Sequence, residues 1–185
     1  MIPEIKKKAE EHMKSAIDSM KHEFSTIRTG RASLSLLDDV KVDYYGTPSP
    51  VTQVATLSLP DARTIAIAPW ESKMLSVIEK AIQKSDIGIN PVNDGKVLRL
   101  IVPPLTEERR KELVKKAKKM AEDSKVIIRN IRRDANEALK KAEKDKKITE
   151  DDLTRSEQEV QKMTDDFIRR LDEALAHKEK EIMEV

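Results

Sequence analysis

The 81 residues from Leu105 to Val185 contain no glycine and no proline. All four glycines (Gly30, Gly46, Gly88, Gly95) and seven of the eight prolines fall between residues 30 and 104. Inside a helix, glycine costs about 1 kcal/mol and proline about 3 kcal/mol relative to alanine. A stretch that lacks both, and is rich in Lys, Glu, Ala, Arg and Leu, is free to be long helix. The middle of the chain must turn often. The distribution therefore predicts a helical body interrupted by a compact insert.

Three apolar stripes support the helical body. Over residues 3–28, Ile5, Ala9, Met13, Ala16, Met20, Phe24 and Ile27 recur at steps of three and four, the spacing of one helix face. Pro3 suits the first turn and Gly30 a stop after the last. Over 107–144 the stripe is Leu113, Ala117, Met120, Ser124, Ile127, Ile131, Ala135, Ala138 and Ala142. Thr106 is a good N-cap, Glu107 and Glu108 suit the positive end of the helix dipole, and Lys140, Lys141 and Lys144 suit the other. Such a helix is on the order of 55 Å long. The third stripe is Leu153, Ser156, Val160, Met163, Phe167, Leu171 and Ala174. Thr149 and Asp152 make a capping-box variant at its start, and Ile148 and Leu153 suit a hydrophobic staple. The short Lys146–Ile148 link predicts antiparallel second and third helices. Together the stripes predict a long antiparallel three-helix bundle with coiled-coil-like packing, discontinuous in sequence because the first helix precedes the insert.

Within residues 31–104 the period changes. Residues 40–44, 54–59 and 64–68 alternate, and 97–102 is a β-branched and leucine-rich run entered by the Asn93-Asp94-Gly95 turn signal. Between them, Met74, Leu75, Ile78, Ala81 and Ile82 have helical spacing within 70–84. The fold class expected is α+β with two domains: the bundle (1–30 and 105–185) and an inserted small, β-rich α/β domain (31–104). The insert joins the bundle at Thr29-Gly30-Arg31 and at Pro103-Pro104-Leu105. Gly30 permits wide backbone freedom, and the two prolines hold the chain extended. Two such non-helical crossings make either a working hinge or a rigid elbow.

The formal net charge of +2 hides a partition. Residues 1–30 carry +1, 31–106 carry zero, 107–147 carry +7 and 148–185 carry −6. Opposite blocks on neighbouring segments mean either a solvated helix surface or a segment that faces a polyanion. With Arg129 as zero and about 100° per residue, Lys111, Lys115, Lys118, Lys125, Asn136 and Lys140 fall within about 40°. Arg132 and Arg133 fall at about −60° and +40°. This phase puts a basic row opposite a core face of Leu113, Met120, Ile127, Ile131 and Ala138. Arginine forks suit phosphate. The row lacks aromatics, which disfavours stacking on splayed bases and favours backbone and shape recognition of folded RNA.

Other classes fare poorly. There is no cysteine, which excludes disulfides and thiolate metal sites and fits a reducing cytoplasm. No apolar run approaches the roughly 20 residues of a membrane span, and Met1-Ile2-Pro3-Glu4 enters an amphipathic helix without a signal or transit peptide. His12, His22 and His177 are scattered, and no E-x-x-H, P-loop, G-x-G-x-x-G or G-x-S-x-G occurs. No catalytic residue, metal or cofactor is expected, and the chain reads as a non-enzyme. A structural coiled-coil adaptor and a metal-dependent bundle enzyme remain as competing classes.

Three segments carry a resemblance: Arg28-Thr29-Gly30-Arg31-Ala32-Ser33, then Pro103-Pro104-Leu105-Thr106-Glu107-Glu108-Arg109-Arg110-Lys111-Glu112, then Ile128-Arg129-Asn130-Ile131-Arg132-Arg133-Asp134. Val42-Asp43-Tyr44-Tyr45-Gly46 and Ile89-Asn90-Pro91-Val92-Asn93-Asp94-Gly95 add to them. In these segments and their order, the chain resembles the bacterial ribosome recycling factors over its full length. The resemblance implies an L-shaped pair of domains, mobile about hinges at 29–31 and 103–105. It implies a cytoplasmic, monomeric translation factor that binds the 70S ribosome and its 50S subunit after peptide release. With elongation factor G and GTP hydrolysed by that partner, such a factor splits the subunits and frees mRNA and tRNA. The resemblance implies Arg129 and Arg132 as the principal rRNA contacts and implies that the insert meets the elongation factor; the expected contact set adds Arg133, Lys125 and Lys118 of the basic row, and Arg110.

Overall fold

The computed structural model describes residues 1–184, which form two compact units. The first comprises residues 1–29 with those from Thr106 onward, and the second spans Gly30–Leu105. Three helices make the first unit: α1 (Ile2–Ser25), α3 (Glu107–Lys144) and α4 (Glu150–Met183). Each packs on the other two. At about 1.5 Å per residue, α3 is about 57 Å long and α4 about 51 Å.

Local chemistry sets the ends of these helices. The Thr106 hydroxyl accepts from the Arg109 amide at 3.1 Å, and Glu107 and Glu108 occupy the first turn of α3. Its other end is a Schellman motif: the Lys147 amide donates to the Ala142 carbonyl (2.9 Å) and the Lys146 amide to that of Glu143 (2.8 Å). The motif needs a left-handed residue, and in a glycine-free stretch Lys146 supplies it at φ 56°. Thr149 and Asp152 then close the expected capping box, with bonds of 3.1 and 3.2 Å. Hydrogen bonding to the Asp152 carboxyl from the Thr149 hydroxyl and then from the Thr149 amide, helped by Arg155, holds it below its ordinary value. Ile148 and Leu153 both pack on the core around Ala9, Leu139 and Val160.

The stripe of α1 is buried as expected from Ala9 to Phe24, with Ile17 added and Ile5 only half-buried. On α3 the expected phase needs correction. The buried face is Leu113, Ala117, Ala121, Ser124, Ile128, Ala135, Leu139 and Ala142. Of the residues assigned to a core face, Ile127 is 50% exposed, Ala138 is exposed, and Met120 and Ile131 are half-buried. The sequence offers adjacent apolar pairs (Met120/Ala121, Ile127/Ile128, Ala138/Leu139), hence two candidate stripes about 100° apart. The groove between α1 and α4 takes the second, whose alanines let the helices approach closely. On α4, likewise, Thr164, Lys178 and Ile182 are buried alongside the expected Ser156, Val160, Phe167 and Leu171.

The second unit contains β1 (Lys41–Tyr44), β2 (Thr47–Pro50), β3 (Ala55–Asp61), β4 (Thr64–Pro69), α2 (Met74–Lys84), β5 (Val92–Asn93) and β6 (Leu98–Ile101), with short 3₁₀ turns at Leu34–Leu37 and Val51–Gln53. A four-stranded antiparallel sheet has the order β3-β4-β6-β5, and β1 and β2 form a separate hairpin. Ile65 faces Leu100 and Ile67 faces Leu98 across β4 and β6. These cross-strand pairs are fully buried in one cluster with Met74, Ile78 and Ile82 of α2. The sequence hides β2 because Thr47-Pro48-Ser49-Pro50 holds two prolines. They are tolerated because a two-stranded ribbon is all edge. Its turn uses left-handed Tyr45 (φ 51°) and Gly46 (φ 82°), the type I′ pattern of a tight hairpin.

Candidate nucleic-acid interface

With Arg129 again as zero, the buried residues of α3 centre near −120°, not opposite the basic row. The row therefore lies beside the core, and its near edge borders α4. Lys118 pairs with Glu179 (4.0 Å) and Lys140 with Glu157 (3.9 Å). Lys125 sits 2.8 Å from Asp172 and 3.5 Å from Glu122, and only 17% of its side chain is exposed. The hydrogen bond to Asp172 and the two nearby carboxylates raise the Lys125 pKa. Part of the +7 block of α3 is thus matched by the −6 block of α4 within the bundle, as charged flanks do in a coiled coil.

The far edge of the row is free of such pairing. Arg129 and Arg133 are exposed, and neither makes an ion pair among the described residues. They lie one turn apart on one flank, with Lys115 and Lys119 on the same side at about +40° and +80°. Both lysines are exposed. Lys119 was missed from sequence because the phase was set by the wrong stripe; the corrected phase brings it onto the solvent flank. Val126, beside Arg129, is 49% exposed. Arg132 is half-buried and donates from Nη1 to Oε1 of Gln161 at 3.1 Å. Arg110 is half-buried, and its Nε is buried without a hydrogen-bond partner, so its stem lies closer to the core than those of Arg129 and Arg133.

The chain crossings have their own geometry. Gly30 adopts φ +77°, and a Cβ there would stand 3.3 Å from Cγ of Leu105. Thr29 and Leu105 are half-buried, whereas Arg31, Pro103 and Pro104 are exposed. The Arg63 Nε donates to the Val102 carbonyl at 3.1 Å, and the Val102 amide donates to the Arg63 carbonyl at 2.8 Å. The strand is thereby pinned up to the residue before the prolines.

A second polar cluster sits in the smaller unit. Tyr44 and Tyr45 donate to Glu71 at 2.8 and 3.0 Å and hold its carboxyl below the ordinary value. Lys73 lies 4.2 Å over the Tyr45 ring. Among the described residues no group of His, Cys, Asp and Glu has a metal-binding arrangement, and no helix is long and apolar enough to cross a membrane.

The chain matches the family model for ribosome recycling factor over residues 20–183. It is 62% identical over 177 residues to the ribosome-recycling factor of Caldicellulosiruptor bescii, covering 96% of both chains. It is 59% identical over 184 residues to that of Caldicellulosiruptor saccharolyticus, covering 100% of both. Among solved structures it is similar to a solution structure of the ribosome recycling factor (TM-score 0.76, 41% identity, 100% of this chain and 98% of that one). It is also similar to one described as models for the T. thermophilus ribosome recycling factor and the E. coli elongation factor G bound to the E. coli post-termination complex (TM-score 0.63, 43% identity, 100% of each). Likeness over the whole length, in sequence and in fold, places the arginine-bearing helix among known relatives: the chain belongs to the ribosome recycling factor family.

Proposed function

We propose that the chain binds large-subunit rRNA through the solvent flank of α3 and, with elongation factor G and GTP hydrolysed by that partner, splits the post-termination ribosome into subunits, releasing mRNA and tRNA in the cytoplasm. The observation that carries the reading is the exposed, unpaired Arg129–Arg133 flank on a long helix in a member of this family. Two exposed guanidinium groups one turn apart attract phosphate, and neither makes an ion pair among the described residues. Arg132, Lys118 and Arg110 border that flank and complete the proposed contact surface, and Lys125, already paired with Asp172 and Glu122, lies at its edge without a phosphate contact of its own. The neighbour described with elongation factor G supports that factor as the partner. The chain itself hydrolyses nothing; binding free energy and the partner's GTP supply the work.

The joint at Thr29, Gly30, Arg31, Pro103, Pro104 and Leu105 is proposed as the hinge on which the smaller domain moves when the elongation factor engages it. A helix as long as α3 resists bending, so a push on the insert reaches the ribosome as displacement of a stiff rod. Polysome breakdown with purified elongation factor G tests the whole: monosomes and subunits should accumulate only with factor and GTP together. Breakdown that is independent of either would refute the reading. Introduced cysteines are unambiguous in a chain that has none of its own. A disulfide locking the two domains should abolish recycling yet leave ribosome binding intact, and undiminished recycling would remove the hinge from the mechanism.

A further inference from the structure

The pairs that lace α3 to α4 recur in step. Lys118 and Lys125 are seven residues apart, as are their partners Glu179 and Asp172. One more step along each helix would set Arg132 against Asp165, and a further step of eight reaches Lys140 and Glu157. At Arg132 the ladder changes character. Its Nη1 donates to Oε1 of Gln161 at 3.1 Å, and Nε2 of Gln161 donates to Oδ1 of Asp165 at 2.9 Å. No carboxylate lies within ion-pair distance of Arg132 among the described residues. The contact of Arg132 slips one turn along α4, from the in-register Asp165 to the neutral amide of Gln161, and Asp165 holds that amide instead of the guanidinium.

We propose that Gln161, oriented by Asp165, is a positioning residue that holds the Arg132 guanidinium at the edge of the RNA-binding flank without cancelling its charge. The inference rests on the rRNA-binding reading and deepens it. A carboxylate only accepts, so Asp165 turns the Gln161 amide nitrogen toward itself and the amide oxygen toward Arg132. One of the five guanidinium N–H donors is used, and the rest remain for a phosphate. A carboxylate in the same place would pair with the guanidinium as a fork and neutralise it. An unsupported arginine would have to lose its rotamer freedom at the moment of binding. The relay avoids both.

Gln161→Glu keeps the shape of the side chain and turns the rung into an ion pair. Its melting temperature should change little, because the new ion pair with Arg132 offsets the lost Gln161–Asp165 hydrogen bond and the repulsion between the two carboxylates. Its affinity for purified large ribosomal subunits should fall about fivefold to tenfold, and the dependence of log affinity on log salt should become shallower by about 0.7–0.9, the loss of one phosphate contact. A merely structural role would not separate stability from affinity in this way. Gln158→Glu adds the same charge on the same helix at an exposed position and should bind like the parent. In an Arg132→Ala background, Gln161→Glu should change nothing further. Parental affinity in Gln161→Glu, an equal loss in Gln158→Glu, or an undiminished loss in the Arg132→Ala background would each overturn the inference. Parental affinity in Arg132→Ala alone would overturn the reading of the flank and this inference with it.

Discussion

Replacing Arg129 and Arg133 together with alanine removes two exposed cations that make no ion pair within the described fold. Stability should therefore stay within about 0.5 kcal/mol of the parent. Ribosome affinity should not. Each phosphate contact contributes roughly 0.7–0.9 to the slope of log affinity against log salt. Losing two flattens that slope by about 1.4–1.8. Between 50 and 200 mM salt, the parent should lose about tenfold more affinity than the double variant. Lys125 is the internal contrast. Its charge is already met by Asp172 at 2.8 Å and Glu122 at 3.5 Å, so Lys125→Met should leave the slope nearly unchanged and instead cost about 1 kcal/mol in the α3–α4 seam. The assay is equilibrium sedimentation of the factor with large subunits across a salt series, paired with thermal unfolding of each variant. Equal slopes for the parent and the arginine double variant would refute the argument, as would a larger slope change from Lys125 than from the arginines.

Two further expectations test the fold. Ile128 is fully buried and its neighbour Ile127 half-exposed; Ile128→Ala should cost about 2–5 kcal/mol in denaturant unfolding, whereas Ile127→Ala should stay within about 0.5 kcal/mol. The folded Asp152 carboxyl is held below its ordinary value of 3.8, so its contribution is present above that pH and lost as pH falls through the depressed folded value. Asp152→Asn should therefore lose stability near neutrality and show a shallower decline than the parent below pH 3.8; superimposable acid profiles would count against the capping box.

Much of the helical unit is written locally. Thr106 and Thr149 are caps because their hydroxyls reach backbone amides three residues ahead, and Asp152 reaches back to the amide of Thr149, all a matter of neighbours in sequence. The long glycine- and proline-free run permits α3 and α4 without any tertiary help. The strands around Ile65, Ile67, Leu98 and Leu100 alternate visibly because one face meets the core. By contrast, Pro48 and Pro50 argue locally against the strand they occupy, and only the two-stranded pairing of β1 with β2 makes that strand possible.

The candidate interface divides in the same way. That α3 is basic, that its arginines cluster at 129, 132 and 133, and that α4 is acidic follow from the sequence alone, since charge is a property of residue type. Which of those cations remain available was decided by the packing. The phase of α3 in the groove between α1 and α4 set Lys125 against Asp172, left Arg129 and Arg133 in solvent, and brought Gln161 to Arg132. Adjacent apolar pairs make two faces of α3 almost equally greasy, so periodicity cannot choose between them. The close approach of three helices, for which Ala117, Ala121 and Ala135 are small enough, makes the choice.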